Sequence, residues 1–121
     1  NPDEYVSELG ADAVRAYLMF IAPWEQGGEW DDSGISGISR WLNRVWKLAL
    51  EPYATRAVTE NEPVDGKSLG DLGRITHQTI KKVTDDLEGF RFNTMIAALM
   101  EFTNYLIKVK EMGSLTAGNL K

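Results

Sequence analysis

Arg40, Arg44 and Lys47 recur at spacings of four and three residues, and at about 100° per residue they fall within about 60° of one another on a helix. Three cations on one face can hold successive phosphates, and they can equally form the solvated side of a bundle helix. Periodicity alone leaves both readings open. Trp41 and Trp46 flank the stripe; an indole there stacks on a base or packs at the rim of a core. Elsewhere chemistry is sparse. His77 is the single histidine, so two-histidine metal motifs are excluded, and no nucleophile or carboxylate stands at a matching spacing. With no cysteine, thiolate metal sites, disulfide scaffolds and cysteine nucleophiles are absent, and a reducing compartment is allowed. The adjacent acids Asp31–Asp32 and Asp85–Asp86 are expected to face solvent rather than bind a cation. Gly70 to Gly73 leads into a helix and does not resemble a phosphate cradle. No catalytic and no metal residue is assigned.

The elements that must carry these residues read as all helical. Asn1, Pro2, Asp3 and Glu4 make a helix start, with a capping side chain, proline at the first position and acids at the positive dipole end. Gly10 stops that helix. A second runs from Asp12, with Val14, Tyr17, Leu18 and Ile21 at helical spacing, to Pro23. Residues 23–34 read as a loop holding a short extended piece near Glu29 and Trp30. Ser33 or Ser36 is the expected cap of the next helix, which Pro52 terminates. Its basic face lies opposite Ile38, Leu42, Val45 and Ala49.

Residues 52–70 read as a long surface loop. A further helix is expected from Asp71 to Gly89, with Leu72, Ile75, Thr79, Val83 and Leu87 on one side and Arg74, Gln78 and Lys81 opposite. The last is expected from an Asn93 cap to Gly113. Its apolar arc spans about 220°, against about 100° for an ordinary surface helix, leaving Glu101, Asn104 and Lys108 as the polar strip. Such a helix needs neighbours on several sides.

The apolar runs YLMFIA and MIAALM are far shorter than the roughly 20 residues that cross a bilayer, so no membrane association is expected, and the acidic first residues do not form a secretory signal. The 121 residues suit one domain or a domain with a short appendage. A net charge of -5 argues in bulk against a polyanion partner. That charge is uneven: residues 1–33 hold eight acids and only Arg15, for -7, which leaves +2 on the remainder. The acidic balance therefore excludes the lead-in as a polyanion surface and leaves the Arg40 face free.

The run NPDEYVSELGADAVRAYLMFIAPWEQGGEWDDSGISGISRWLNRVWKL closely resembles the part of bacterial-type leucyl-tRNA synthetases that follows the KMSKS loop and enters the anticodon-binding helical domain. RITHQTIKKVTDDLEGFRFNTMIAALMEFTNYL is similar to the continuation of the same family. GADAVR is shared with synthetases for valine, isoleucine and methionine, whereas RWLNRVW with FNTMIAALME points to the leucine enzymes. The resemblance implies an all-α helical bundle of the class I synthetase anticodon-binding type, lacking its C-terminal helices, with residues 1–23 as a stem-contact lead-in and 24–121 as the partial bundle. It places the HIGH and KMSKS motifs before Asn1, so ATP and Mg2+ belong to the parent enzyme and no cofactor to this piece.

The resemblance further implies a cytoplasmic parent, with tRNA(Leu) and the catalytic domain of the same polypeptide as partners. The expected function is positioning tRNA through backbone contacts for leucylation. Arg40, Arg44 and Lys47 are the expected RNA-facing stripe, joined by Arg74 and Lys81 if the two helices pack side by side. Asp12 is expected to cap its helix, Arg15 to pair with an acid, and Asn43 and Trp46 to pack within the bundle. An under-covered last helix leads to an expectation of self-association for the isolated chain. The alternatives are a stand-alone helical interaction module, a tRNA-handling paralogue, and the equivalent domain of a valyl or isoleucyl enzyme.

Overall fold

A computed structural model describes the backbone of residues 1–23, 25–50 and 66–119, and the side chains of 1–23, 25–50 and 70–110. Five helices follow in order: α1 (Pro2–Leu9), α2 (Ala11–Phe20), α3 (Asp32–Leu50), α4 (Gly66–Glu88) and α5 (Phe92–Asn119). Among the described residues there is no strand, and the segment near Glu29 and Trp30 is irregular. The all-α reading holds.

The helix boundaries follow from local chemistry. The Asn1 side chain accepts from the Asp3 N–H at 3.1 Å, capping α1 as its sequence predicts. Gly10 turns the chain at φ 90, a left-handed value that glycine adopts without steric cost. It also stands at the N-cap of α2, where no side chain caps the helix. Asp12 lies in the first turn and does not cap; it pairs with Arg15 at 3.4 Å, both side chains exposed.

Four boundaries differ from expectation. Asp31, rather than Ser33 or Ser36, caps α3, its carboxylate accepting from the Ser33 N–H at 3.0 Å. The α4 helix begins at Gly66 rather than near Asp71, so Gly70 and Gly73 lie inside it, where glycine is tolerated at a modest propensity cost. The rest of the expected loop, residues 52–65, lies outside the described residues. Asn93 lies inside α5, which starts at Phe92 and runs past Gly113 to Asn119.

The core is formed by Val14 and Tyr17 of α2, Ile35, Ile38 and Trp41 of α3, and Met95 and Ile96 of α5. Burying an aliphatic or aromatic side chain of this size contributes about 1.5–3 kcal/mol. Helix α5 is the hub, with α2, α3 and α4 all packed on it. That arrangement accounts for its wide apolar arc: α2 supplies the third neighbour. Glu101, Asn104 and Lys108 face water, and among the described residues the large apolar side chains left exposed lie instead on α1 to α4, the α2–α3 loop and the α4–α5 turn.

The α4–α5 turn centres on Asp86, which is 1% exposed. The expectation of a solvent-facing acid pair fails here for a physical reason. Thr94 donates to its carboxylate at 2.7 Å, Lys82 at 3.1 Å and Arg91 Nε at 3.1 Å, so charge and lone pairs are satisfied within the fold. Burial alone would push this carboxyl up, but the Thr94, Lys82 and Arg91 contacts outweigh it and hold it below the usual carboxylate range. The Arg91 N–H also bonds the Asp86 carbonyl at 2.8 Å, closing a Schellman-type turn with Phe90 at φ 56.

Candidate nucleic-acid interface

Helix α3 turns Ile35, Ile38 and Trp41 into the core and thereby Arg40, Arg44 and Lys47 outward, all three exposed. None of them ion-pairs with an acid among the described residues. They border an open groove of about 620 Å³ where the end of α2 meets α3 and α5. Phe20, Ile38 and Met100 give that groove an apolar floor, and Asn43 joins the cations at its edge.

Asn43 is thus a groove residue rather than a packing residue. Its signal was present in the sequence, since Arg40, Asn43, Arg44 and Lys47 occupy positions i, i+3, i+4 and i+7 of one face. Trp46 departs further from expectation: it is 68% exposed and does not pack in the core. Trp41 is 6% exposed and does. Phe20 carried no signal, because its place beside the stripe is made by the packing of α2 on α3.

Arg74 and Lys81 stand elsewhere. Helices α3 and α4 both lean on α5, and neither residue lines the groove beside Arg40. Arg74 pairs with Asp71 at 3.6 Å and donates to Gln78 at 3.4 Å. Lys81 donates to Asp85 at 2.8 Å, a hydrogen bond that raises its pKa. His77 is exposed on α4.

An aromatic clamp sets where α3 begins. Trp30 lies between Tyr5, with ring centroids 4.7 Å apart, and Tyr17, at 4.8 Å and edge-on. The Trp30 indole donates to Asp32 at 2.8 Å, the Tyr5 hydroxyl donates to the same carboxylate, and the Asp31 N–H donates to the Tyr17 hydroxyl at 2.9 Å. The Tyr5 hydrogen bond, then that of Trp30, holds the Asp32 carboxyl low, and the same bond raises the Tyr5 phenol. Gly34 is required at the contact, since a Cβ there would lie 2.7 Å from the Tyr17 ring.

A basic, partly apolar groove on an all-helical scaffold can bind a polyanion. Residues 72–112, covering most of α4 and the first part of α5, match the family described as the anticodon-binding domain of tRNA ligase. Among solved structures, the chain superposes with a TM-score of 0.72 and 33% identity, over 89% of its length and 15% of the other chain, on the Agrobacterium radiobacter K84 agnB2 LeuRS in a ternary complex with tRNA and LeuAMS. Fold and sequence together define an anticodon-binding helical domain of the tRNA-ligase kind.

The leucine–tRNA ligase of Dehalococcoides mccartyi strain BAV1 is 54% identical over 119 residues, 98% of this chain and 14% of that protein. That of Rubrobacter xylanophilus is 53% identical over 110 residues, 91% of the chain and 12% of that protein. The chain belongs to the leucine–tRNA ligase family. It spans about one-seventh of the length of the D. mccartyi relative.

Proposed function

We propose that this domain binds tRNA(Leu) along its backbone and holds it for ATP-dependent leucylation by the catalytic portion of the longer polypeptide. Arg40, Arg44 and Lys47 are the contacting residues, and residues 1–23 join the bundle to that catalytic portion. The observation that carries the reading is the set of three exposed cations on one helical face, none engaged by a described acid. Phosphate contacts of this kind fix register without reading bases. Arg74 and Lys81 extend the stripe only if the tRNA also passes over α4, where both already face acids. ATP and Mg2+ serve the activation step elsewhere in the parent; among the described residues no group of three or more His, Cys, Asp or Glu side chains stands together to hold a metal.

The test is tRNA(Leu) binding by the complete ligase carrying this chain, measured across a salt series. The double change Arg40→Glu and Arg44→Glu is expected to weaken binding at least tenfold. It should also make the dependence of log K on log salt shallower by about 1.4–1.8, at about 0.7–0.9 per phosphate contact. Unchanged affinity and slope would remove the stripe from the interface.

A further inference from the structure

The groove beside Arg40 is more than a rail for phosphates. Its cations line the rim, while Phe20, 36% exposed, and Met100 lie on its floor. A paired stem offers such a surface phosphates and sugars only, because its base faces are stacked on one another. An aromatic ring lining the same groove as three cations that pair with no acid among the described residues complements a ligand with a negative backbone and an uncovered flat face.

We propose that the groove seats one unpaired nucleotide of the tRNA, its base against the Phe20 ring and its flanking phosphates on Arg40, Arg44 and Lys47. This inference rests on the tRNA-binding reading above and names the part of the RNA that is gripped. The dimensions agree. A volume of about 620 Å³ falls within the roughly 300–1,000 Å³ of sites that take small organic ligands. At 1.5 Å rise per residue, Arg40 to Lys47 covers about 10 Å, enough to reach the phosphates on both sides of a single nucleotide. The space at Gly37 is open, since a Cβ there would meet nothing nearer than the Arg40 guanidinium at 3.8 Å. Asn43, with one amide acceptor and two donors, stands at the rim beside Arg44 and pairs with the edge of the extruded base.

Two substitutions at Phe20 in the complete ligase separate stacking from bulk. Phe20→Leu keeps an apolar side chain of similar reach and removes the aromatic face, whereas Phe20→Tyr keeps the ring. Stacking of a base on an aromatic ring predicts that Phe20→Leu weakens tRNA(Leu) binding about tenfold, while Phe20→Tyr stays within about twofold of the unchanged protein. A photoreactive benzoyl-phenylalanine at position 20 should crosslink to an unpaired nucleotide.

Wild-type affinity for Phe20→Leu, equal losses in both variants, or crosslinks confined to paired stems would overturn the proposal. In each of those cases a continued loss on Arg40→Glu and Arg44→Glu would leave the backbone-binding reading standing. If that double change is also silent, both readings fall.

Discussion

The Trp41 indole donates to the Thr103 hydroxyl at 3.1 Å, joining residues 62 positions apart in the sequence. The same hydroxyl gives its own proton to the Leu99 carbonyl at 2.8 Å. Trp41 and Thr103 are both buried, so this directional bond lies within the otherwise apolar seam between α3 and α5. It fixes the rotation of α3 about its axis. Arg40 and Arg44 are neighbours of Trp41 on that helix, and the bond thereby helps decide which way the basic face points.

Removing the acceptor leaves the indole N–H buried without a partner. Thr103→Val, which preserves shape, is expected to cost about 1–3 kcal/mol, read as a shift in the urea unfolding midpoint of the chain. Trp41→Phe should cost less in the Thr103→Val background than alone, since there the indole N–H has already lost its partner. Strictly additive costs would show that the contact carries no stability.

Asp86 gives the fold an acid-sensitive joint. Its folded pKa lies below the unfolded value of about 3.9, so its contribution is present above that pH and is lost as pH falls through the folded value. At neutral pH, Asp86→Asn is expected to destabilise by about 2–3 kcal/mol through its weakened charge-assisted hydrogen bonds. The gap from wild type should narrow progressively as pH falls below about 3.9. A gap that stays constant down to pH 2 would refute the assignment.

Two glycines of α3 should respond to alanine with opposite signs. Gly37→Ala meets only ordinary contact and gains helix propensity, for a stabilisation of up to about 1 kcal/mol. Gly34→Ala drives a methyl into the Tyr17 ring, which is buried and accepts from the Asp31 N–H. The ring has little room to move, and the expected net cost is about 1–3 kcal/mol. Thermal melts of the two variants decide the matter; equal signs would contradict the packing described.

Self-association of the isolated chain is expected through the end of α3 rather than through α5. Trp46 and Leu50 are 68% and 57% exposed and one turn apart, an apolar edge of the kind that seeks cover. Sedimentation should show dimers or larger species that recede in a Trp46→Gln, Leu50→Gln variant. A wild-type chain that stays monomeric at high concentration would count against this.

Much of the helical framework was legible because helix signals are local. The Asn1 cap, the Gly10 stop, Val14 and Tyr17 as core residues of α2, and the outward stripe of Arg40, Arg44 and Lys47 all follow from residue types at fixed offsets, but the apolar face expected of α3 is rotated: Ile38 is buried with Ile35 and Trp41, while Val45 and Ala49 are exposed. The same reasoning failed where a side chain's surroundings come from distant segments. Asp86 has the look of a surface acid beside Asp85, and only the arrival of Arg91 and Thr94 after the turn makes its burial tolerable. Trp46 has the look of a packing residue, yet no described element covers it.

By itself, then, the sequence determined that this chain is helical, where most helices begin and end, which face of α3 is basic and which family its motifs belong to. These properties depend on backbone geometry and on residues within a turn or two of one another. Tertiary structure alone decided that α5 stands at the centre with α2, α3 and α4 around it, because helices with comparable apolar faces can pack in more than one order. That packing separated Arg74 and Lys81 from the Arg40 stripe and laid Phe20 and Met100 beneath it. A line of cations thereby became a groove with a floor.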